Sequence, residues 1–401
     1  MTLSVQRLRE MIREDLPDLV AFRRDLHAHP ELQYEEVRTS QRVRDELQRH
    51  EIEFVGGLAG GTGVLALLSG SDAARTVALR ADMDALPITE ETGAAHASQN
   101  EGVMHACGHD GHTTVCLGAA GVLKKIADTD GLPRPVKLLF QPAEEGGAGG
   151  ERMVQEGCLT DRVLGPAVSE MYGLHGWPEL DLGSVTTRPG VLMAATDAFT
   201  ICVRGKMTHA AKPHLGRDPI VAGAQIVAAL QTIASRDLDP AEPVVVTVAR
   251  FHAGSAFNVI PETAVLEGTV RTLSDEARAH VQQRLSEIAG GAAAALGCSV
   301  EVDWRPGYPV TSNDAGAVDR FFEVARATAG AERATVFPHP SMTAEDFSFY
   351  GREVPACFFF LGQRRSPGEE FPGLHTPRYD FNDDSLALGI ELFCRLALEL
   401  A

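Results

Sequence analysis

Short strand patterns alternate with longer helix patterns along roughly the first 190 residues, and this alternation constrains the fold more than any other feature. Runs rich in Val, Leu and Ala predict strands at 64–68, 77–80, 136–140 and 167–172. Spaced apolar residues predict helices at 8–26, 39–49 and 112–128. Strands and helices in alternation build an α/β layer whose sheet is largely parallel.

The pattern changes near residue 190. Strands are predicted at 198–203, 244–251, 264–272 and 299–304, and helices at 218–233 and 275–295. Their order, βαββαβ, is typical of a ferredoxin-like α+β unit. A helix at 314–329, a strand at 356–361 and a final helix from 385 then return to the first pattern. We therefore predict an α/β domain, 1–190 and 305–401, that is interrupted by an inserted α+β domain, 191–304.

The chain is strongly acidic. Its 401 residues include 55 Asp and Glu against 36 Lys and Arg, which gives a formal net charge of −19. A surface of this sign repels phosphate backbones and anionic lipid headgroups, so we expect neither nucleic-acid nor membrane-surface binding. The sequence contains no run of 18 apolar residues, which argues against a membrane span.

The cysteines and the N-terminal segment indicate the compartment. The chain has seven cysteines, an odd number, and their spacing shows no disulfide framework. The first 26 residues resemble a charged amphipathic helix without an apolar core or a small-residue cleavage site, unlike a signal peptide. We predict a cytoplasmic protein with reduced thiols.

The segment 104–112 is the richest in chemistry. His105, Cys107, His109, Asp110 and His112 fall within eight residues, just before a predicted helix. Imidazole, thiolate and carboxylate are the ligands of zinc and similar divalent ions, and the intervening glycines let the backbone bend. The alternative is a loop whose polar residues only begin the helix.

Two carboxylate pairs also follow predicted strands. Glu144 and Glu145 follow the strand at 136–140, and neighbouring side chains of an extended backbone point in opposite directions. One can then bind a metal while the other takes a proton from water, a division that suits hydrolysis. Asp82 and Asp84 follow the strand at 77–80, where Asp84 could orient a ligand histidine. Alternatively, these are solvated turn residues and a helix cap.

Two single histidines complete the set. His175 follows the predicted strand 167–172, and His375 lies downstream of the strand 356–361. Either histidine alone is more typical of a hydrogen-bonded structural residue. In open α/β sheets, however, ligands bind outside the carboxyl ends of the strands, where nearly all of these segments are predicted to lie. Together they predict a metal site.

The segments extend to a resemblance that covers nearly the whole chain. The motifs in question are RDLH at 24–27 with PE at 30–31, ADMDALP at 81–87, MHACGHD at 104–110, QPAEEG at 141–146, HAA at 209–211 with PH at 213–214, NVIP at 258–261, GTVRT at 268–272, EDF at 345–347 and LHTP at 374–377. In this order they resemble the amidohydrolase family of hippurate hydrolases, aminoacylases and auxin-conjugate hydrolases, which is related to the dinuclear zinc carboxypeptidases.

The resemblance implies a zinc-peptidase-like α/β/α catalytic domain with two divalent metal ions. By position, the implied ligands are Cys107, His109, Glu145, His175 and His375. The Cys107 thiolate is expected to bridge the ions, which are expected to be Zn or Mn, with Co or Ni also fitting mixed ligation. Glu144 takes the role of general base toward a water between the ions, and Asp84 orients a ligand.

For the inserted domain, the resemblance implies a lid and a dimerisation module. His209 is expected to reach the active site of the partner subunit and to help hold the oxyanion, and Asn258 and Arg271 to bind a substrate carboxylate. Alternatives are a surface loop for His209, a turn cap for Asn258 and an ion pair on its own sheet for Arg271. The chain departs from the family pattern at Met207-Thr208, where two Gly are usual, and at Thr343, where Gly is usual.

The implied activity is metal-dependent hydrolysis of the amide bond of N-acyl-L-amino acids by a homodimer or a higher homo-oligomer. The alternative on the same fold is a dipeptidase or a carboxypeptidase-type hydrolase. A non-catalytic metal-binding scaffold and a hydrolase with Cys107 as nucleophile and His109 as its base are further alternatives, and the presence of Glu144 argues against the scaffold.

Overall fold

The computed structural model describes residues 4–366, 368 and 370–400. The chain divides into two compact units. The first unit takes the chain up to Leu192, Ser312–His339 and the chain from Asp346 onward. The second unit takes Met193–Thr311 and Pro340–Glu345. The assignment of catalytic and lid roles, with the boundaries given above, stays a prediction.

The secondary structure contains α-helices and strands of very different lengths. The strands are β1 (Glu53–Leu58), β2 (Gly63–Leu68), β3 (Val77–Asp82), β4 (Val136–Gln141), β5 (Glu170–Asp181), β6 (Val185–Thr187), β7 (Gly190–Met193), β8 (Ala195–Arg204), β9 (Thr208–His209), β10 (Val244–Ala253), β11 (Val259–Ile260), β12 (Thr263–Thr272), β13 (Ser299–Pro306), β14 (Thr311–Asn313), β15 (Ala334–Val336) and β16 (Ala356–Arg364). The helices are α1 (Val5–Ala28), α2 (Val37–Arg49), α3 (His109–Thr129), α4 (Gly149–Glu156), α5 (Pro219–Thr232), α6 (Asp275–Ala295), α7 (Ala315–Ala329), α8 (Ser348–Gly351) and α9 (Leu386–Leu398).

An eight-stranded mixed sheet forms the centre of the first unit, in the order β1-β2-β4-β3-β5-β16-β6-β15. The four central strands β4, β3, β5 and β16 are parallel. The pairs β1–β2, β2–β4 and β16–β6 are antiparallel, so the predicted parallel sheet holds for the centre and not for the edges. Parallel strands are covered by helices on both faces, which explains why β3 and β4 are buried throughout.

Helix α3 is buried over more than its first half. It packs against α1, α9 and β3, and all of its residues from 109 to 123 are buried. Because the N-terminal part of α3 is buried on every side, polar residues included, its first turn is enclosed by the core. Within the described residues, no helix combines the length and the apolar character that a bilayer crossing requires.

The second unit contains a four-stranded antiparallel sheet in the order β10-β12-β8-β13. Helices α5 and α6 pack against each other and against this sheet, over a core that includes Phe199, Ile201 and Leu266. The chain order βαββαβ with the spatial order second-third-first-fourth is the ferredoxin-like arrangement. The predicted fold class, α/β with an inserted ferredoxin-like α+β domain, is therefore confirmed.

Of the element boundaries that differ from the prediction, two change the position of a predicted ligand. Helix α3 begins at His109 and not at 112, because Gly108 takes a left-handed conformation, φ 86°, at the N-cap. Strand β5 begins at Glu170 and continues to Asp181, because β16 pairs with it beyond Gly176. His175 therefore lies within a strand, and the expectation that it follows the strand was wrong.

Two glycines test the packing of the second unit. A Cβ on Gly268 would lie 2.1 Å from the Thr247 carbonyl oxygen and 2.4 Å from the Phe199 ring. We expect Gly268→Ala to lower the free energy of unfolding by about 1–3 kcal/mol, because neither neighbour can move away freely. The exposed helical Gly291 has nothing within 4 Å, so Gly291→Ala is expected to raise it by about 0.5–1 kcal/mol. Urea unfolding measures both, and changes of equal sign would contradict the packing described.

Candidate metal centre

Buried Asp84 connects the two segments that carry most of the predicted ligands. Its Oδ1 accepts hydrogen bonds from the Glu144 backbone N–H at 2.9 Å and from His109 Nδ1 at 3.2 Å. Its Oδ2 accepts from the Glu145 backbone N–H at 2.9 Å. One carboxylate thus fixes the start of α3 relative to the turn that follows β4, which is the contact expected of a group that orients a ligand.

Hydrogen bonds select one tautomer for two of the histidines. In the neutral ring, His109 donates from Nδ1 to Asp84, which leaves its buried Nε2 without a proton and without a hydrogen-bond partner among the described residues. His175 donates from Nδ1 to the Gly176 carbonyl at 2.7 Å, which leaves its Nε2 lone pair 3.3 Å from Cys107 Sγ. In its neutral form, each ring therefore presents an unprotonated Nε2, the atom that binds a metal.

Cys107 lies between the two remaining predicted ligands and His175. His375 Nε2 is 3.3 Å from Cys107 Sγ and 3.0 Å from Glu145 Oε1. His375 has a positive φ of 58°, and its backbone N–H donates to the Ala106 carbonyl at 2.8 Å. This turn brings a histidine from the C-terminal part of the chain to the thiol.

The five predicted ligands form two overlapping groups of possible ligand atoms. Cys107, His109 and His175 form one group and Cys107, Glu145 and His375 the other, with ligand atoms within 4.8 Å of one another in each. Cys107 is common to both, as a bridging thiolate would require. The donors are sulfur, nitrogen and carboxylate oxygen, so the residues fit a pair of divalent ions.

The charges around the site favour a cation. Burial and the adjacent Glu145 and Glu144 carboxylates raise the pKa of the Cys107 thiol well above its usual range. A cysteine nucleophile needs a lowered pKa, so these surroundings argue against the Cys107 nucleophile alternative. Although burial opposes the charged ring, the Asp82 and Asp84 carboxylates raise the pKa of His109 to about 10. Nearby carboxylates contribute to both shifts, and divalent ions would balance their negative charge.

His112 is a further buried histidine that the sequence did not separate from its neighbours. Its Nδ1 donates to Asp82 Oδ1 at 2.7 Å, and its Nε2 accepts from the Gly176 backbone N–H at 2.8 Å. Both ring nitrogens are therefore occupied, so the neighbouring group of Asp82, His109 and His112 holds structure together. The sequence feature that could have indicated this role is the spacing of three residues between His109 and His112. Residues at this spacing lie on one face of a helix, provided that the helix begins at His109.

A buried polar network supports Glu144 from the other side. Arg80 donates to Asp82, Gln141 and Asp346 over 2.7–2.9 Å. Asp346 also accepts from the Gly150 backbone N–H at 2.8 Å, and its own N–H donates to Glu144 Oε1 at 3.3 Å. Asp346 belongs to the EDF motif, for which the sequence alone suggested no role. Its side chain fixes its own position by hydrogen bonds, and its backbone N–H then orients the Glu144 carboxylate.

In the second unit, β9 and β11 bring His209 and Asn258 together. His209 pairs with Val259, and the Asn258 carbonyl accepts from the Ala210 N–H at 2.9 Å. Both side chains are exposed. The Ala211 N–H donates to His209 Nδ1 at 3.0 Å, so the neutral ring carries its proton on Nε2.

Arg271 lies on β12, half-buried, away from that pair of short strands. The acidic residue nearest to it on the sheet, Asp197, is occupied by Arg278 at 2.6 and 2.8 Å. Within the described chain, Arg271 itself forms no ion pair, which removes the predicted alternative of a partner on its own sheet. Burial lowers the pKa of Arg271, although Asp197 opposes the change.

The two departures from the family pattern lie in different surroundings. Met207 is exposed, and the Thr343 hydroxyl forms a hydrogen bond with the Ser341 hydroxyl at 2.7 Å.

Comparison with known proteins identifies the family. Residues 78–399 match the model of peptidase family M20/M25/M40. The chain belongs to this family. It is 41% identical to N-acetyl-L-cysteine deacetylase of Bacillus subtilis, over 86% of this chain and 80% of that protein. It is 39% identical to IAA-amino acid hydrolase ILR1-like 4 of Arabidopsis thaliana, over 94% of this chain and 84% of that protein.

A solved structure from the M20 family supports the same conclusion. This dinuclear metal binding peptidase of Bacillus subtilis is 35% identical, with a TM-score of 0.82 over 97% of this chain and 99% of that one. The predicted resemblance and the predicted enzyme class are confirmed. The chain is a metal-dependent amidohydrolase of the M20/M25/M40 family.

Asp84→Asn tests the contacts that organise the site. An asparagine keeps the size of the side chain, but its NH2 group must face one of the three donors that Asp84 now accepts. We expect the variant to bind divalent metal and to turn over substrate about 10- to 100-fold less well. Asp72→Asn is the control, because Asp72 is an exposed carboxylate whose one hydrogen bond within the described residues comes from the Ala74 N–H at the start of a short helix. Metal titration of the two variants measures their affinities, and steady-state kinetics measures their turnover. Equal metal affinities would contradict the role given to Asp84.

Proposed function

We propose that the enzyme hydrolyses the amide bond of N-acyl-L-amino acids and releases the free amino acid, in the manner of a hippurate hydrolase or aminoacylase. The observation that carries this proposal is the different surroundings of two adjacent carboxylates. Glu145 lies beside Cys107 and His375, whereas Glu144 is held by the Asp346 N–H. The pair thus divides into a proposed metal ligand and a proposed proton acceptor.

Glu144 is the proposed general base. It takes a proton from the water that attacks the amide carbonyl, and it then passes this proton to the nitrogen of the leaving amino acid. Two divalent ions held by Cys107, His109, Glu145, His175 and His375 would polarise the carbonyl and lower the pKa of water. Zn or Mn is the proposed metal, and Co or Ni fits the same donors.

The second unit supplies the proposed groups for the rest of the substrate. Arg271 has a guanidinium without an ion-pair partner in the described chain, and a planar carboxylate is its natural ligand. Asn258 is exposed and can donate from its side-chain amide to the same carboxylate. His209 presents a neutral Nε2–H, which can donate to the oxyanion that forms during attack.

We propose that two chains form a homodimer through the second unit. Strand β10 lies at the edge of its sheet and exposes Val245 and Phe251, and α5 exposes Ile220 and Val221. Apolar side chains on an open strand edge and an adjacent helix favour association.

The proposed location is the cytoplasm. All seven cysteines are free thiols, which supports a reducing compartment of this kind.

A substrate panel tests the proposed reaction. It contains N-acetyl, N-benzoyl and indole-acetyl amino acids, unblocked dipeptides, and a matched amide that lacks the α-carboxylate. We expect release of free amino acid from the N-acyl compounds, loss after chelation, recovery with Zn or Mn, and poor turnover of the matched amide. Preference for unblocked dipeptides would instead favour the peptidase alternative, and a metal-loaded protein that cleaves nothing would favour a binding protein.

Glu144→Gln separates proton transfer from metal binding. We expect kcat to fall about 10²- to 10⁴-fold while the metal content stays at the wild-type value, because an amide cannot accept the proton. Glu145→Gln is the matched neighbour, and we expect it to lose metal. Metal analysis and steady-state kinetics distinguish the two variants. Full activity of metal-loaded Glu144→Gln would overturn the proposed mechanism.

A mixing experiment tests whether His209 acts on the partner subunit. His209→Ala and Glu144→Gln variants are purified separately and together after co-expression. If His209 acts across the dimer, each mixed dimer contains one site with both groups intact, so the mixture recovers about one quarter of wild-type activity. Recovery of none of this activity by a preparation shown to contain mixed dimers would contradict the assignment.

A further inference from the structure

Glu36 is a fully buried carboxylate that the proposed mechanism does not use. It occupies the position before α2, yet its side chain makes no capping hydrogen bond to that helix. Its Oε1 accepts from the Ala143 backbone N–H at 2.8 Å, and its Oε2 accepts from the Thr62 hydroxyl at 2.8 Å. A buried carboxylate is costly, and this one is directed at the turn that carries Glu144 and Glu145.

The turn that Glu36 contacts has an unusual backbone. Ala143 has a positive φ of 55°, a conformation that residues with a Cβ rarely adopt. The N–H groups of residues 143, 144 and 145 are all held by buried carboxylates, the first by Glu36 and the other two by Asp84. Three successive backbone N–H groups therefore point toward the Glu36 and Asp84 carboxylates. The left-handed conformation of Ala143 turns the chain so that all three can do so.

We propose that Glu36 is a positioning residue, which fixes the left-handed turn at Ala143 and thereby the directions of the Glu144 and Glu145 carboxylates. The inference rests on the proposed function of those two residues. Without Glu36, the Ala143 N–H would be buried without its acceptor, and the turn would relax toward an ordinary conformation. Small displacements of a catalytic group lower the reaction rate by large factors, so we expect the loss of Glu36 to lower kcat.

Glu31 provides a matched control on the same loop. Like Glu36 it accepts two hydrogen bonds, here both from backbone N–H groups, of Arg38 at 2.9 Å and of Thr39 at 2.8 Å. Those donors belong to the start of α2, and among the described residues the Glu31 side chain makes no hydrogen bond to the turn at 143–145. A role limited to the stability of this region predicts similar behaviour for both glutamates.

The experiment compares Glu36→Ala, Glu36→Gln and Glu31→Ala at saturating metal. We expect Glu36→Ala to lower kcat about 10- to 100-fold with little change in KM, and Glu36→Gln to retain most of kcat, because its amide oxygen still accepts from Ala143. Glu31→Ala is expected to lose stability and to keep kcat. If Glu36→Ala does not fold, Glu36→Asp replaces it, since its shorter carboxylate cannot reach Ala143 and should lower kcat in the same way.

A second readout needs no substrate. Titration with Co²⁺, followed by the absorption of a cysteine–cobalt bond, is expected to show weaker binding in Glu36→Ala and recovery in Glu36→Gln. Wild-type kcat in folded Glu36→Ala, or equal losses in Glu36→Ala and Glu36→Gln, would overturn the proposal. If wild-type protein cleaves no N-acyl amino acid but the Co²⁺ affinities follow this order, the proposed substrate fails and the role of Glu36 stands.

Discussion

The site depends on the Asp84 carboxylate. The sheet brings the ends of β3 and β4 side by side, but it leaves the turn after β4 and the start of α3 as separate pieces of backbone. Asp84 accepts hydrogen bonds from both pieces and so fixes their positions relative to each other. Because its three partners are two backbone amides and one imidazole, their geometry tolerates variation in the surrounding side chains while the carboxylate remains.

The same edge of the sheet concentrates negative charge, and this concentration has to be balanced. Arg80 balances part of it by donating to Asp82 and Asp346. The rest, at Glu144 and Glu145, is the charge that divalent ions would neutralise. The affinity for metal and the stability of the first unit are therefore two aspects of one electrostatic arrangement.

The sequence predicted the fold class from its alternating pattern, and it predicted that the polar segments gather because strand ends in an α/β sheet meet at one edge. The choice of five ligands among those residues came from the family resemblance. It placed His175 after a strand because the apolar pattern fades there, whereas pairing with β16 extends β5 to Asp181. It placed the start of α3 too late, because the left-handed Gly108 is a property of the packed backbone. Glu36 has no local signal, since its partner is 107 residues away in the chain.

Burial is unequal among the five candidate ligands. Cys107, His109 and His175 are buried, and the Glu145 side chain is 14% exposed, but the His375 side chain is 51% exposed. Exchange of an ion held by Cys107, Glu145 and His375 can thus begin with the rotation of one surface side chain. An ion held by Cys107, His109 and His175 would have three buried ligands, so its release would require movement of buried side chains. The two halves of the centre should fill and empty on different timescales, so the metal composition of a preparation would record its history as well as its affinities.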